Sequence, residues 1–439
     1  MTIVEQPRQF CPLGGQQTVL AIERAIPIVH AGPGCSSMLF GGLAMANGFQ
    51  GSGYAGGGTV PSTNAGEREV VFGGEDRLRD EIEGTLKVLD GDLYVVLTGC
   101  TTDLVGDDVG HVVRAFKERG VPIVHASTGG FKGYSCLGHE TVVRAIIEQF
   151  LEPAPERIPG LVNVWSVIPY KDTFWAGNLE AIGEMLAGIG LEANVLFGHA
   201  SGGVAAWRRI PAAQFNLVLS PWSGLEIAED LQSAFGTPFL HYPVFPIGAV
   251  ESSLFLREVG RFAGIAPAAI EAYVGTQEGR FYHYLDRAAD FFLEARWDLP
   301  DRFVSIADSF YTLGIARFLV NELGLIPGHQ FVTDEPPEEA RPALAELLAR
   351  LAPHVSARVT FTQDGGEIAR SLRALASEER PIIFGTSWDK DLAKELCGYK
   401  LSIGLPTTDR LVLDRGYAGY RGGLRLIEDM YATVLAGSQ

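Results

Sequence analysis

Cysteine, methionine and basic charge are all scarce in this chain of 439 residues, and it has no long apolar run. No apolar stretch approaches the ~18 residues that a membrane span needs, so no transmembrane helix is expected. The opening stretch MTIVEQPRQFCPLGG lacks the basic-then-apolar pattern of a signal peptide, which points to a cytoplasmic protein. Lys and Arg number 35 against 53 Asp and Glu, a formal net charge of −18. That sign argues against nucleic acid or an anionic membrane as a partner. Five cysteines, an odd number without an export signal, argue against a disulfide framework. There is no P-loop sequence, no H-E-x-x-H pair and no complete G-x-S-x-G elbow. GYSCLG (133–138) and HASGG (199–203) both miss that elbow, which leaves a serine hydrolase without its motif.

What is present is an alternation of short apolar strands with amphipathic helices, and 53 glycines to serve the turns between them. AIPIVHAG, LYVVLTG and GVPIVHAS read as strands in the first third. LEPAPERIPG (151–160), with three prolines, reads as a linker. Beyond it VNVWSVIP, ANVLFG and NLVLSP are strands, GLEIAEDLQSAFG and ESSLFLREVGRFAG are helices, and Asn178 stands as the cap of a helix carrying Leu179, Ile182, Met185, Leu186 and Ile189. ARWDLPDR (295–302) marks a second boundary, after which RFVSIAD, ARVTFTQD and RPIIFGTS continue the strand pattern. The expected fold is α/β: three Rossmann-like, doubly wound domains with parallel sheets, in series over residues 1–158, 159–300 and 301–439. Length agrees, at roughly 150 residues per domain. GSGYAG (51–56) matches G-x-G-x-x-G but follows a helical stretch, so it reads as a flexible loop rather than a dinucleotide fingerprint.

Three cysteines occupy equivalent places. Cys35 follows the strand ending at His30 through a Gly-Pro-Gly turn, and Cys100 follows LYVVLTG at the start of a helix. Cys11 precedes Pro12, a Gly-Gly pair and the helix QQTVLAIERA. Free N–H groups and the helix dipole at such positions favour a thiolate, and the carboxyl ends of strands are where open α/β sheets bind ligands. Three thiolates aimed at one crevice would bind metal. Their spacings of 24 and 65 residues are not those of a structural zinc knuckle. An iron–sulfur cluster usually takes four or more cysteines, so a second subunit would complete the set. Cys136 reads by itself as a small buried residue. His30 reads as a hydrogen-bonded core histidine.

CPLGGQQTVLAIERAIPIVHAGPGC, EREVVFGGEDRL, VLTGCTTDLVGDDVGHVV, FKGYSCLGHETVVRAI and IGLPTTDRLVLDRGYAGYRGG together resemble β-type chains of the nitrogenase component 1 superfamily, in order and over nearly the whole chain. The resemblance implies that Cys11, Cys35 and Cys100 ligate a cluster shared with an α-type subunit in an α₂β₂ assembly. That cluster would be the 8Fe–7S P-cluster, or a 4Fe–4S cluster as in related members. It further implies an ATP-dependent 4Fe–4S reductase as electron donor and a catalytic cofactor on the α-type chain. No catalytic residue is then expected here, and LSPWSGLEIAED lacks the α chain's cofactor cysteine. Gly32, Gly34 and Gly99 would let backbone approach the cluster. In the segment matching FKGYSC, Tyr134 stands where nitrogenase β chains place a serine, with Ser135 and Cys136 following, which makes Cys136 an outside candidate ligand. Cys11 also lies near the N-terminus, without the long extension of molybdenum-nitrogenase β chains. Within the superfamily these departures point to the methylthio-alkane reductases, which cleave C–S bonds of small sulfides. The β-like half of the cofactor-assembly scaffold and the vanadium- or iron-nitrogenase β chains are the alternatives.

Overall fold

Strands buried at every residue need cover on both faces, and the chain supplies it with helices. The computed structural model describes residues 3–45, 60–375 and 380–437; GSGYAG lies outside them. In the first sheet, β1 (Ala25–His30), β2 (Leu93–Thr98) and β3 (Ile123–Ala126) run parallel in the order β1-β2-β3. Both β1 and β2 are buried along their full length. The helix Val109–Lys117 shows how sequence sets a boundary here. The Asp108 carboxylate accepts the His111 N–H at 2.8 Å to cap it, and Val109, Val112, Val113 and Phe116 form its buried face.

The second sheet, β4 (Ile158–Trp165), β5 (Glu192–Asn194), β6 (Ala213–Val218) and β7 (Phe239–His241), is also parallel, with order β5-β4-β6-β7. The third contains β8 (Arg302–Ala307), β9 (Ile326–Pro327), β10 (Gln330–Val332), β11 (Val359–Phe361), β12 (Ile382–Gly385) and β13 (Tyr399–Ser402). Its order is β11-β10-β8-β12-β13, with β9 on β8, again all parallel. Strand order reverses direction in the second and third sheets, between β4 and β6 and between β8 and β12. The C-terminal helix Gly419–Gly437 lies on β13 but also packs on Gly248–Ala263, so the last segment returns over the second sheet's helices. No helix among the described residues is long and apolar enough to cross a membrane.

Three local expectations change. The linker ends early, because Ile158, Pro159 and Gly160 already open β4, with a register irregularity between Ile158 and Val162. The helix expected over 16–25 stops at Leu20, since β1 must begin at Ala25. Asn178 is not a cap: it lies inside the helix Trp175–Gly188, fully buried. Its amide donates to Asp172 and Tyr311 at 2.9 and 2.7 Å, and its carbonyl accepts the Tyr417 and Ala418 N–H groups. A polar residue that ties the second segment to the C-terminal one carries the same local signature as a cap.

The helix Ser135–Phe150 crosses the N-terminal turn so closely that a Cβ on Gly138 would sit 1.9 Å from the Pro12 carbonyl oxygen. One residue on, His139 is buried with Nδ1 2.8 Å from Thr18 Oγ1, and burial pushes its pKa down to about 3. An unfolded histidine titrates near about 6.5. Below that pH the unfolded chain takes up a proton that the folded one refuses, so stability falls as pH drops. The slope from this group is at most about 1.4 kcal/mol per pH unit. Glu140, pushed up to about 7 by burial, acts with the opposite sign in both proteins to be compared. His139→Gln should therefore lower the urea midpoint less at pH 5 than at pH 7, relative to the parent. Equal losses at both pH values would contradict a neutral buried histidine.

Candidate iron–sulfur half-site

Each of the three cysteines stands at the first turn of a helix. Cys11 caps the 3₁₀ turn Pro12–Gly14, its carbonyl accepting the Gly14 N–H at 2.8 Å. Cys35 lies in the first turn of Pro33–Met45, after β1. Cys100 opens Cys100–Val105, directly after β2, with an extended Gly99 as its cap. Because β1 and β2 are paired neighbours, Cys35 and Cys100 emerge side by side at the carboxyl edge of the sheet. Gly99 N–H and Thr102 Oγ1 both donate to the His30 carbonyl, at 2.9 and 2.6 Å, and lock the two turns together.

Cys11 arrives from elsewhere, on a strap that crosses the third sheet. Arg8 N–H donates to Gln363 O, Gln9 Nε2 to Thr333 O, and the Arg8 guanidinium pairs with buried Asp389 at 2.8 Å. These partners follow β11, β10 and β12, so the strap lies over that sheet's carboxyl ends.

The loop after β3 closes the arrangement. Gly130 N–H donates to Cys100 Sγ at 3.0 Å. A Cβ built on Gly130 would stand 2.9 Å from Cys100 Sγ and 3.1 Å from Cys11 Sγ, so only glycine leaves both sulfurs room. The loop is anchored by Asp103, which accepts from Ser127 Oγ at 2.8 Å and Gly129 N–H at 3.2 Å and pairs with Lys132 at 2.9 Å. A Cβ on Gly99 would reach Cys35 Sγ at 3.5 Å and Ala31 Cβ at 2.5 Å. Of the other glycines expected to admit a cluster, Gly34 has open space around it and Gly32 meets only the Ala65 carbonyl, at 3.7 Å. Gly130 went unnoticed in the sequence, although the run GGFKG (129–133) after a strand was the signal for it.

The local electrostatics correct one expectation. Burial pushes the Cys11 and Cys35 thiols up, and each is also raised by the charge of its neighbouring cysteine sulfurs. Helix N-termini do not outweigh that. Three crowded sulfurs therefore call for a cation. No three His, Cys, Asp or Glu groups among the described residues converge on a single ion. A multi-iron group fits better. The donors are three soft thiols, two glycines leave space at them, one N–H already addresses a ligand sulfur, and Gln16 Oε1, beside the narrow cavity between Cys11 and Cys35, is buried without a partner.

Other candidates lie apart from this set. Ser135 Oγ and Cys136 Sγ both point to Gln9 Oε1, at 3.2 and 3.7 Å, and Cys136 is buried with its thiol pushed well up by desolvation. His30 is buried between Thr63 Oγ1 and Asp107 Oδ2, at 3.1 and 2.9 Å. Cys397 is exposed after the helix Lys390–Glu395.

Three parallel sheets in an α/β chain, with three thiols gathered at the edge of the first, describe the class: an oxidoreductase subunit built from Rossmann-like units. The chain belongs to the nitrogenase component 1 type oxidoreductase family, whose sequence model matches residues 11–435. Molybdenum-iron and iron-iron β chains are among its relatives, and it is a β-type member. It is 25% identical to the nitrogenase molybdenum-iron protein β chain of Methanococcus maripaludis, over 99% of this chain and 95% of that one. It is 24% identical to the corresponding chain of Azotobacter vinelandii (98% and 84% covered) and to the nitrogenase iron-iron protein β chain of Rhodobacter capsulatus (97% and 92%). A solved structure of nitrogenase Cp1 at pH 6.5 has the same fold, with TM-score 0.81 and 17% identity over 99% of this chain and 94% of that one. Since 95% of a molybdenum-iron β chain is covered, the position of Cys11 does not separate this chain from that group.

Gly130→Ala should leave the fold and its melting temperature nearly unchanged, because the half-buried glycine opens a short 3₁₀ turn without a positive φ and an added methyl meets only the two sulfurs, which can rotate away. Iron recovered with the chain should drop at least severalfold. Full iron retention in Gly130→Ala would remove the steric argument for this site.

Proposed function

We propose that this chain is the electron-relay subunit of a nitrogenase-like reductase. Cys11, Cys35 and Cys100 would supply this subunit's share of an iron–sulfur cluster completed by an α-type partner. The observation that carries the reading is the gathering of three thiols from three separate segments at one sheet edge, Cys11 and Cys100 meeting at Gly130, and Cys11 and Cys35 lining one narrow cavity. The surroundings suit a partner. Leu104 is 73% exposed and Phe131 58%, with Val71, Phe72 and Tyr134 also exposed on neighbouring segments. Apolar side chains in such number beside an incomplete ligand set mark an interface. Two such αβ pairs would form an α₂β₂ assembly, and an ATP-dependent 4Fe–4S reductase would donate the electrons.

When bound, the cluster would supply one- or two-electron redox chemistry. The protein's part is to hold thiolates, exclude water and tune the potential. Cys100 would do the last through the Gly130 N–H, since a hydrogen bond to a ligand sulfur raises the potential of the iron it binds. Substrate chemistry would belong to the partner. In this chain the segments that follow β4, β6, β8 and β10 meet in a buried network: Lys171 paired with Asp308 at 2.9 Å, and Asp334 accepting from Trp222 Nε1 and Ser309 Oγ. For the complex as a whole we extend the proposal to reductive C–S cleavage of small methylthio-alkanes.

Two measurements test this. The complex co-purified with its natural α-type partner should contain about eight irons per αβ pair at this site, oxidisable by two electrons, if the cluster is a P-cluster. About four irons with a simple S = 1/2 signal on reduction would mean a 4Fe–4S cluster and favour the assembly-scaffold reading. Cys35→Ala should lose this iron and the α–β contact together; a fully metallated Cys35→Ala complex would defeat the assignment. Supplied with its reductase, ATP and dimethyl sulfide, the complex should release methane and methanethiol. A complex that holds the cluster yet leaves the sulfide untouched would overturn the substrate extension alone.

A further inference from the structure

The side-chain amide of Gln16 is buried and makes no hydrogen bond. The residue is 2% exposed, its Oε1 has no partner, and its Nε2 donates to none of the described residues. Leaving a buried amide unpaired is costly, and such positions ordinarily go to apolar residues. A leucine there would fill the space without that cost. An unsatisfied polar group in a native interior calls for an explanation, and a group bound beside it is one.

The helix that carries Gln16 sets its direction. In Gly15–Leu20, Gly15 and Thr18 stand three residues apart on the face towards Ser135–Phe150. A Cβ on Gly15 would lie 2.6 Å from the Gly138 carbonyl oxygen, and Thr18 Oγ1 sits 2.8 Å from His139 Nδ1. These two contacts fix the rotation of the helix. Gln16, about 100° round from Gly15, borders the cavity of about 50 Å³ that Cys11 and Cys35 share. Gln17 borders it too, but its Nε2 packs against Gly42, 3.0 Å from a Cβ built there.

Hydrogen-bond donors are few in this cavity. Phe10 and Leu13 supply apolar wall, and among the described residues no Lys, Arg or His borders it. Burial pushes both thiols up, so N–H groups are needed there to favour the thiolates that bind iron. Cys100 has such a group in the Gly130 N–H, which does not serve Cys35. The Gln16 amide carries two N–H bonds at the cavity between Cys11 and Cys35.

We propose that Gln16 is a hydrogen-bond donor to the sulfurs of the iron–sulfur cluster on its Cys11–Cys35 side, and that it holds the cluster's reduction potential up. The inference rests on the iron–sulfur reading above. A donor placed there favours the reduced state, in which the sulfurs carry more negative charge.

Gln16→Leu and Gln16→Met test it, since both remove the N–H bonds and keep the apolar bulk. In the full chain without iron, each should raise the melting temperature by about 1–3 °C, because the unpaired amide is gone. In the complex with the α-type partner, each should keep its iron and become harder to reduce. At a fixed potential near the parent's midpoint, the ratio of reduced to oxidised cluster should fall about threefold to tenfold. A residue that only fills space would not move the two readings in opposite directions. An unchanged ratio in both variants at full iron content would overturn the proposal. So would loss of iron from both, which would make Gln16 a structural residue, or a lower melting temperature in both iron-free chains. A parent complex without iron would defeat the function proposed above, and the donor with it.

Discussion

The buried ion pair between Arg8 and Asp389 is the contact on which the cysteine edge depends. Both side chains are almost fully removed from water, and two guanidinium nitrogens address the carboxylate while Nη1 also reaches Thr386 Oγ1 at 2.6 Å. Forming such a pair is not cheap, because both charges give up their hydration. Losing one partner is worse, about 3–5 kcal/mol, since the other charge is left alone in the interior. The pair therefore acts as a register pin. It holds residues 5–12 across the carboxyl ends of the third sheet and delivers Cys11, three residues on, to an edge of the first sheet.

Delivery also needs a close approach. The turn at Pro12 touches the helix Ser135–Phe150 at Gly138, where any side chain would collide with backbone. Gln9 fills the adjoining space, accepting from Ser135 and Cys136 and donating to the third sheet at Thr333. One short segment thus touches elements belonging to the first and third sheets, and its last residue becomes a ligand candidate. A cluster shared between subunits demands that kind of stiffness. A thiolate that wanders by an ångström is a poor iron ligand, and the partner half can meet only a half that is already in place.

Much of this was legible in the residues. Strands such as LYVVLT and AIPIVH are almost wholly apolar runs leading into glycine turns, the pattern of strands in a doubly covered parallel sheet. The equivalence of Cys35 and Cys100 followed from two copies of the same strand–turn–helix grammar. Other features were misread for a physical reason. Asn178 was taken for a cap because a buried amide that satisfies backbone groups in a distant segment looks locally like one that satisfies its own helix. Thiolates were expected at the helix starts, but burial and the crowding of sulfur push Cys11 and Cys35 the other way, and crowding is invisible until the chain is folded. GYSCLG was weighed as a failed nucleophile elbow; its glycines serve a turn and a helix crossing instead.

The sequence by itself determined the α/β grammar, the parallel strands, the negative surface and the placing of three cysteines at three helix starts. All of these are read from neighbours within a turn or a strand, where periodicity and capping act. Only the tertiary structure decided that Cys11 reaches the other two, that Gly130 leaves space for Cys11 and Cys100, and that Cys136 turns towards Gln9. Those outcomes depend on contacts between residues far apart in the chain, such as Arg8 with Asp389. Local preference is blind to such distances, and only the folded chain brings the partners within a hydrogen bond.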